Sequence, residues 1–366
     1  MICVTSETLF VVVMISSGSG TSEDRRIRRV YPHSMKDDQS RQPNAQQFSH
    51  VPVLPDEVVT MLDPQAGEVF VDCTAGLGGH AAMIAQKIGP TGTIVLNDLD
   101  QGNLDRAKSH VAKVLCPDDP DSAKVHAIRG NFSELPAKLR ALGVSADMIL
   151  ADLGFASTQV DDPDRGLSFR FSGPLDMRLD QSSPITASEL VNTLPERDLA
   201  DIIWRYGEEK SSRRIASKLV AAREVEPITT TDRLAEIVRS AIRGPRGSIN
   251  PATKTFQALR IAVNDELGSL EALLRVMGIG LRKQSQSSAS DEPGWIGHGS
   301  RIAFIAFHSL EDRPVKRAFS DWVKSGWVES INKGIVTGSE AEIASNPRAR
   351  SAKLRGCRSI RGDANG

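Results

Sequence analysis

The chain has 366 residues, of which 40% are apolar, and this is enough for more than one domain with a hydrophobic core. Its formal net charge of −1 excludes a strongly basic or acidic field over the whole molecule, although local charge clusters can still bind nucleic acid. The four cysteines are scattered and form no Cys-x-x-Cys pair. They predict neither a structural zinc site nor a disulfide framework, so we expect no metal and a reducing, cytoplasmic environment.

The N-terminal segment contains one apolar run, Leu9–Ile15, which is too short to span a bilayer and has no basic residue ahead of it. We therefore expect neither a membrane anchor nor a signal peptide. The rest of residues 1–47 is polar, Gly/Ser-rich and then charged, and this composition predicts a disordered extension. Met35 is an alternative start of the native chain.

A glycine-rich turn follows the first predicted strand. The strand contains Val69–Val71, and the turn reads Gly76-x-Gly78-x-x-Ala81. Apolar residues then recur at helical spacing through Ile88, so the pattern predicts a strand, a turn and a helix N-terminus. Backbone amides of such a turn can approach a ligand because no Cβ intervenes. By itself, the turn is equally consistent with a plain strand-to-helix connection.

The second predicted strand, residues 93–98, favours the ligand-binding interpretation. It ends at Asp98, 22 residues beyond Gly76, where nucleotide-binding βαβ units place the carboxylate that binds ribose hydroxyls. Periodicity also predicts strands at 68–73, 124–129 and 147–152, and helices at 79–88 and 101–115. This alternation predicts an α/β fold with a doubly wound, mostly parallel sheet.

Three acidic residues stand at predicted strand ends, namely Asp72, Asp98 and Asp152. Ligands of doubly wound sheets bind at the carboxyl ends of the strands, so we expect the three to converge on one crevice. S-adenosylmethionine (AdoMet) suits this set at least as well as a dinucleotide, because its sulfonium cation favours carboxylates and it has no pyrophosphate. Asp72 has a second interpretation, in which it orients the turn by accepting backbone amides.

The pattern changes after Asp152. A loop over 154–180 carries Phe155, Phe169 and Phe171, and several amphipathic helices follow without a strand. One long apolar face is predicted from Phe256 to Leu274. We therefore predict a first part of the sheet domain at 48–165, a helical insertion at 166–275, and a second part at 276–345.

The C-terminal third has two further predicted features. The second part contains a flexible insert at 284–300, rich in Ser and Gly, followed by a strand over 300–307. The stretch 346–366 is basic, and between 346 and 361 it contains no acidic residue. It is predicted to be a tail that is either solvated or an arm contacting phosphates.

Ten sequence blocks resemble one family, in the same order over roughly three hundred residues. The blocks are His50-x-Pro-Val-Leu54, Asp72-x-Thr-x-Gly-x-Gly-Gly-His80, Leu150-Ala-Asp-Leu-Gly154, Gln159-Val-Asp-Asp162, Arg165-Gly-x-Ser-Phe169, Gly173-Pro-Leu-Asp-Met-Arg178, Tyr206-Gly-Glu-Glu209, Phe256-Gln-Ala-Leu-Arg-Ile261, Phe307-His-Ser-Leu-Glu-Asp-Arg313 and Asn346-Pro-Arg-x-Arg-Ser-Ala-Lys-Leu-Arg355. They resemble the MraW (RsmH) family of bacterial 16S ribosomal RNA methyltransferases, which modify the exocyclic N4 amine of a decoding-centre (P-site) cytidine.

The resemblance implies a class I (Rossmann-like) AdoMet-dependent methyltransferase with an all-helical inserted domain that helps to bind the RNA. It implies that AdoMet is the methyl donor and that the small ribosomal subunit is the partner. The cofactor positions that it carries over are Gly78, Gly79, His80, Asp98, Phe132, Asp152 and Gln159. The chain departs from the family at Phe155–Thr158, which affects the local geometry of that loop but not the implied function. Whether the chain forms a homodimer is left open.

The reacting groups are hypotheses. The Asp/Asn-Pro-Pro-aromatic signature of many amino-methyltransferases is absent after the fourth strand, where Asp152-Leu-Gly-Phe155 stands instead. Either Asp152 or a nearby backbone carbonyl accepts from the amine while Phe155 or Phe169 stacks on the base, or Asp152 contacts only the cofactor.

His308-Ser309 is no hydrolase pair, because adjacent residues cannot easily adopt the required geometry. We interpret that block as a strand-end loop in which Arg313 either contacts RNA phosphate or braces the fold.

Two rival functions use the same pattern. A nicotinamide-dependent oxidoreductase would need a pyrophosphate turn and a hydride-handling pair, and the sequence offers neither clearly. An RNA-binding module without activity would not need the acidic positions at the strand ends.

Overall fold

The computed structural model describes residues 51–120, 123–242, 250–287 and 294–360. The predicted disordered extension at 1–47 lies outside the described residues, as does 361–366 of the predicted basic tail. The described ranges contain a seven-stranded sheet with helices on both faces.

The sheet is mostly parallel, as predicted. Its strands in chain order are β1 Val69–Asp72, β2 Thr93–Asp98, β3 Val125–Arg129, β4 Ala146–Asp152, β5 Ile296–Ala306, β6 Val328–Ser330 and β7 Lys353–Ser359. They lie side by side in the order β3-β2-β1-β4-β5-β7-β6. Strands β1 to β5 pair in parallel, whereas β7 is antiparallel to both β5 and β6. From β1 the chain adds β2 and β3 on one side, and then returns to add β4 and β5 on the other side. The carboxyl ends of β1 and β4 therefore border the topological switch point.

The helices flank this sheet and also form a separate layer. In chain order they are α1 Pro55–Leu62, α2 Gly79–Ile88, α3 Gln101–Leu115, α4 Leu135–Ala141, α5 Ser157–Asp161, α6 Ala187–Thr193, α7 Glu196–Gly207, α8 Ser212–Arg223, α9 Thr231–Ala241, α10 Ala252–Asn264, α11 Glu266–Gln286, α12 Ser309–Lys324 and α13 Glu340–Ser345. None of the helices within the described ranges is long and apolar enough to cross a membrane.

Alternate residues of the buried strands face opposite layers of helices. In β1, Phe70 packs with α1, α2 and α3 on one face, and Val71 packs with α4, α11 and α12 on the other. Because both faces are covered, the strands are apolar runs and do not alternate between apolar and polar residues. This double burial fixes the strand ends, and therefore the residues that follow them.

A third hydrophobic core lies between α6, α7, α8, α9 and α10. It includes Ile203, Leu219, Leu234 and Phe256, all of which are buried. This core forms the helical insertion that the sequence predicts, but the predicted end at residue 275 is wrong. The apolar face predicted as one helix is broken at Asp265, whose φ of 45° ends α10, and α11 then packs on the sheet.

Two further sequence predictions need correction. The predicted flexible insert at 284–300 includes the last turn of α11 and the first residues of β5, while 288–293 lie outside the described residues. Within the described part of the chain, the stretch from 346 onward is not a tail. It contributes β7 to the interior of the sheet, and Arg355 on that strand forms an ion pair with Asp312, with 2.8 Å between Nε and Oδ1.

Candidate active site

A cavity, called the first cavity below, opens at the carboxyl ends of β1, β2 and β4. Its walls come from the turn 73–77 with Gly79 and His80, the strand end 97–99, the loop 152–156, the segment 52–53, and side chains that include Phe132, Gln159 and Arg348. The switch point of a doubly wound sheet is where such a fold binds its ligand. The cavity lies at the edge where the sequence predicts a crevice and is lined by Asp98 and Asp152, whereas Asp72, the third predicted carboxylate, does not line it.

The glycine turn is held against the end of β2. The Gly76 N–H donates to Asp98 Oδ2 at 2.8 Å, and Gly76 has a φ of 50°. Gly79 begins α2 and lines the first cavity. Gly78, with a φ of 79°, packs instead against α3, where an added Cβ would lie 3.1 Å from Ala107 Cα. Of the two glycines that the resemblance assigned to the cofactor, Gly79 faces the cavity and Gly78 shapes the turn.

Asp98 presents a carboxylate that is fixed by the backbone. Oδ2 accepts from Gly76, and Oδ1 accepts from the Asp100 N–H at 2.8 Å. Burial raises the pKa of Asp98 to about 7, against the opposing effect of backbone hydrogen bonds from Gly76 and Leu99 and of the charge of Arg165. Each oxygen keeps a further lone pair, so the group can still accept hydrogen bonds from a ligand in the first cavity.

Asp152 and His80 lie together in the first cavity and are called the polar corner below. The Asp152 N–H donates to Thr74 Oγ1 at 2.7 Å, while its Oδ1 is buried and has no hydrogen-bond partner among the described residues. His80 Nε2 lies 2.8 Å from Val53 O, and its Nδ1 lies 3.8 Å from Asp152 Oδ2. Burial raises the pKa of Asp152 to about 7 and lowers that of His80 to about 4, so the imidazole is neutral.

The described residues give Asp152 Oδ1 no hydrogen-bond donor, although the positive charge of Arg348 acts on this carboxyl. A carbonyl oxygen such as Val53 O can only accept, so the neutral His80 ring donates from Nε2 and leaves Nδ1 as an acceptor. Nδ1 and the Asp152 carboxyl oxygens then face one another as acceptors. A cationic group with several N–H donors would satisfy both side chains.

Asp72 lies beneath the turn. It is only 2% exposed, and its Oδ1 accepts from the Thr74 N–H at 3.1 Å. Burial raises its pKa to about 7, and the charges of Asp152 and Asp98 add to the increase. These contacts agree with the interpretation in which Asp72 orients the turn.

Phe132 and Gln159 line the first cavity from the other side of the strand ends. Phe132 begins a short 3₁₀ turn, and Asn131 caps this turn by accepting from the Ser133 N–H at 3.0 Å. Gln159 is buried, and its Oε1 accepts from the Ala156 N–H at 3.0 Å. The Gln159 side chain is therefore held in place, and the Asn131 cap fixes the backbone that carries Phe132.

A second cavity adjoins the first and is lined by the helical insertion, the loop after β4 and the start of α12. The two cavities share Gly154, Phe155, Phe307, Glu311 and Arg348. Four of the chain's eleven phenylalanines line the second cavity, namely Phe155, Phe169, Phe256 and Phe307. Three arginines, Arg170, Arg260 and Arg348, also line it. This combination of aromatic rings and guanidinium groups suits a nucleobase with its phosphates.

The phenylalanines predicted to stack on a base have defined neighbours. The Arg260 guanidinium lies 4.4 Å from the centroid of the Phe155 ring, and Arg260 forms two 2.8 Å hydrogen bonds with Glu266. Phe169 packs edge-on against Phe256, with 4.9 Å between centroids. Phe171 is 63% exposed.

The block after β5 differs from its prediction as a strand-end loop. It begins α12, with His308 at the N-cap and Glu311 in the first turn. Glu311 Oε2 accepts from the Phe307 N–H at 2.9 Å, and its carboxyl lines both cavities. Arg313 pairs with Glu208 at the end of α7, with 2.7 Å between Nη2 and Oε1. This ion pair agrees with the second role predicted for Arg313, in which it braces the fold. No pattern in the sequence indicates that Glu311 lines these cavities, because the other residues that line them come from distant parts of the chain.

Residues near both ends of the described chain close the first cavity. Pro52 and Val53 line it, and the next residue, Leu54, donates its N–H to Glu342 Oε1 at 2.7 Å. Asn346 Nδ2 lies 3.3 Å from Val51 O and 3.5 Å from Pro52 O. In addition, Arg348 Nη2 donates to Phe155 O at 2.7 Å. The segment 342–348 therefore holds one wall of the cavity in place.

Residues 47–360 match the family model described as the MraW methylase family. The chain belongs to this family. AdoMet is therefore its methyl donor, as the sequence predicts, and the strand order with an antiparallel β7 is that of a class I AdoMet-dependent methyltransferase.

Two similar relatives carry the name ribosomal RNA small subunit methyltransferase H. The protein from Sorangium cellulosum is 44% identical over 315 residues, which cover 86% of this chain and 91% of the relative. The protein from Deinococcus radiodurans is 43% identical over 309 residues, which cover 84% of this chain and 89% of the relative. Both relatives therefore match this chain over about nine tenths of their own length.

Solved structures are more distant. A putative rRNA methylase from Clostridium thermocellum has a TM-score of 0.35 and 9% identity, covering 83% of this chain and 94% of the other. Fibrillarin from Aeropyrum pernix, solved with natively bound S-adenosyl-L-methionine, has a TM-score of 0.30 and 11% identity, covering 80% of this chain and 67% of the other. At these TM-scores the likenesses support no argument.

Proposed function

We propose that this MraW methylase transfers a methyl group from AdoMet to the exocyclic N4 amine of the decoding-centre (P-site) cytidine in 16S rRNA. The observation that carries the proposal is the junction of the two cavities. One is lined by carboxylates at the switch point of the sheet, and the other is lined by phenylalanines and arginines. The names of the relatives support small-subunit ribosomal RNA as the substrate.

The first cavity offers groups that suit AdoMet. Asp98 would accept from the ribose hydroxyls, since both of its oxygens are oriented by backbone donors. Asp152 and His80 would hold the ammonium group of the methionine part, which supplies N–H donors to the polar corner. Phe132 and Gln159 would contact the adenine, and Gly79 leaves room for the ligand while Gly78 sets the turn.

The role of the protein in the transfer is positional and electrostatic. When bound, AdoMet supplies an electrophilic methyl group on its sulfonium. The cytosine amine is a weak nucleophile because its lone pair is delocalised, so it must be held in line with that methyl group, which can contribute roughly 7–11 kcal/mol. Transfer would form a C–N bond while the S–CH₃ bond of AdoMet breaks, and the amine nitrogen would lose a proton. Asp152 is the proposed acceptor through one carboxyl oxygen, while its other oxygen contacts the ammonium group of AdoMet.

The second cavity would hold the extruded base. Stacking on an aromatic side chain contributes about 1–3 kcal/mol per base, which offsets much of the few kcal/mol needed to unstack the nucleotide. Phe155 and Phe169 are the proposed stacking residues, and both line this cavity. Arg170 and Arg348 would contact the flanking phosphates. Because the proposed substrate is the small ribosomal subunit, we propose that the protein acts in the cytoplasm.

The test is a methylation assay on a defined substrate. Small ribosomal subunits from bacterial cells that lack this activity are incubated with the purified protein and labelled AdoMet. The expected result is one added methyl group on N4 of one decoding-centre cytidine, located by mass mapping of the rRNA. Calorimetry with AdoMet and with NAD separately tests the donor, and tight binding is expected for AdoMet alone.

The matched control uses subunits from cells that have the activity, which should accept no further methyl group. A methyl group on a ring carbon, or on another nucleotide, would contradict the assignment of the amine. Binding to subunits without any transfer would favour the rival interpretation of an inactive RNA-binding module.

A further inference from the structure

A buried polar pair lies at the junction between the two cavities. Glu311 is 3% exposed, and its carboxyl lines both cavities, while His308 lines the second. His308 Nε2 lies 3.2 Å from Glu311 Oε1, so the two groups stand side by side. Neither residue is among the positions that the family resemblance assigns to the cofactor.

Both side chains have polar atoms that form no hydrogen bond with the described residues. Both ring nitrogens of His308 are buried without a hydrogen-bond partner among the described residues. Glu311 uses Oε2 to accept from the N–H groups of Phe307 and His308, at 2.9 and 3.3 Å, which leaves Oε1 available. The nearby cation, Arg260, already forms two hydrogen bonds with Glu266. Buried polar atoms without partners in a cavity indicate a ligand that supplies them.

We propose that this pair selects cytosine, with Glu311 accepting a hydrogen bond from the exocyclic amine and His308 donating its N–H to the neighbouring ring nitrogen N3. This inference rests on the proposed function, since it takes a nucleobase to enter the second cavity. It adds a specificity determinant that acts on the reacting edge of the base.

The pattern of donors and acceptors distinguishes the two pyrimidines. Cytosine presents an amine donor beside an acceptor at N3, whereas uracil presents a carbonyl acceptor beside an N–H donor. A carboxylate beside a neutral imidazole complements the first pattern and opposes the second. Burial lowers the pKa of His308 to about 4, so the ring is neutral with a single N–H.

The same contact would aim the amine. Glu311 would accept a hydrogen bond from one N–H of the amine. This contact would hold the amine edge of the base toward the first cavity. Burial raises the pKa of Glu311 to about 7, and an N–H donor from the base would favour its ionised, accepting form. Recognition and orientation of the nucleophile would thus depend on one side chain.

The test measures binding of cytidine and of uridine to the full-length protein in the presence of S-adenosylhomocysteine, which prevents turnover. The wild-type protein should prefer cytidine by about tenfold or more. In Glu311→Gln the amide oxygen can still accept from the Phe307 N–H, but the amide N–H₂ would donate to uracil. The preference should therefore fall below about twofold or reverse.

A second variant and a matched control complete the design. His308→Phe keeps a planar aromatic ring but removes the donor, and it should reduce the preference by about fivefold. Glu236→Gln removes an exposed carboxylate on α9, away from both cavities, and should behave as the wild type. Affinity for S-adenosylhomocysteine and the melting temperature identify any variant that has failed to fold.

The proposal is overturned if the folded variants keep the wild-type preference for cytidine, or if the wild-type protein shows none. That result leaves the proposed function in place when methylation of small subunits is observed. Failure of the wild-type protein to methylate any subunit would instead overturn the proposed function.

Discussion

Asp98 receives two backbone N–H groups and still faces the first cavity with lone pairs to spare. Replacing it with Ala should weaken AdoMet binding about tenfold or more, the equivalent of the 1.5–3 kcal/mol of a hydrogen bond to a charged group. Isothermal calorimetry measures the change. Asp105→Ala, which removes an exposed carboxylate on α3, is the control. An unchanged affinity in Asp98→Ala would show that the ribose site lies elsewhere.

The raised pKa values of Asp98 and Asp152, both about 7, predict a pH dependence of AdoMet binding. Below that pH each carboxyl is protonated and cannot pair with a cation or accept as strongly, so affinity should fall as the pH falls. For one such group the ionised fraction changes about eightfold between about pH 6 and about pH 7.5. Calorimetry over this range should therefore show a rise of at least that size. Asp98→Asn and Asp152→Asn should each reduce the slope, and a flat profile in the wild-type protein would refute the assignment.

At the scale of residues, the sequence predicted those parts of the site that local rules control. Asp98 and Asp152 end apolar strands, and Gly79 begins a helix after a strand, so the position of each follows from nearby residues. Glu311 and Arg348 could not be placed in this way. Glu311 reaches the cavities from the start of α12, and Arg348 contacts Phe155, 193 residues away. Contacts of this separation depend on the whole fold.

At the scale of elements, the short helix α13 anchors the chain segment that borders the first cavity. Glu342 accepts the N–H of Leu54, a residue with a φ of 54°, and the preceding Pro52 and Val53 line the cavity. Glu342→Ala should leave this N–H without its partner, at a cost of about 1–3 kcal/mol. We expect a lower melting temperature and an AdoMet affinity reduced about fivefold or more, measured by calorimetry.

Glu340→Ala is the matched control, since Glu340 lies on the same helix and is exposed. If Glu342→Ala and Glu340→Ala bind AdoMet equally well, then the contact with Leu54 does not shape the cavity.

The elements themselves were predictable where hydrophobic periodicity was uninterrupted. Strand β2 and helices α2 and α3 agree with their predicted bounds, because each is a single periodic run ended by a turn. The break at Asp265 was missed because the apolar spacing continues across it, while the φ of 45° is set by tertiary contacts. Asn264 beside it accepts the Leu179 N–H at 2.7 Å and donates to Met177 O at 2.8 Å.

Strand β7 was missed because its arginines resemble a solvated tail, whereas pairing with β5 and β6 places it inside the sheet.

At the scale of the whole molecule, the net charge of −1 has to be reconciled with a polyanionic substrate. Attraction must then come from local arginines such as Arg170, which is exposed at the second cavity. Arg170→Ala should weaken binding to small ribosomal subunits and reduce the slope of log K against log salt by about 0.7–1. Arg233→Ala on α9, where Arg233 pairs with Glu236, should leave the slope unchanged. Equal slopes for both variants would exclude a phosphate contact at Arg170.

The closure of the first cavity by segment 342–348 has a consequence for biosynthesis. Translation makes the residues around Pro52 and Val53 early, but Glu342 lies 288 positions after Leu54 and Asn346 lies 295 positions after Val51. We therefore expect a polypeptide that lacks segment 342–348 to bind AdoMet more weakly than the full chain. A protein proposed to mature ribosomes would thus become competent only after translation has passed this segment.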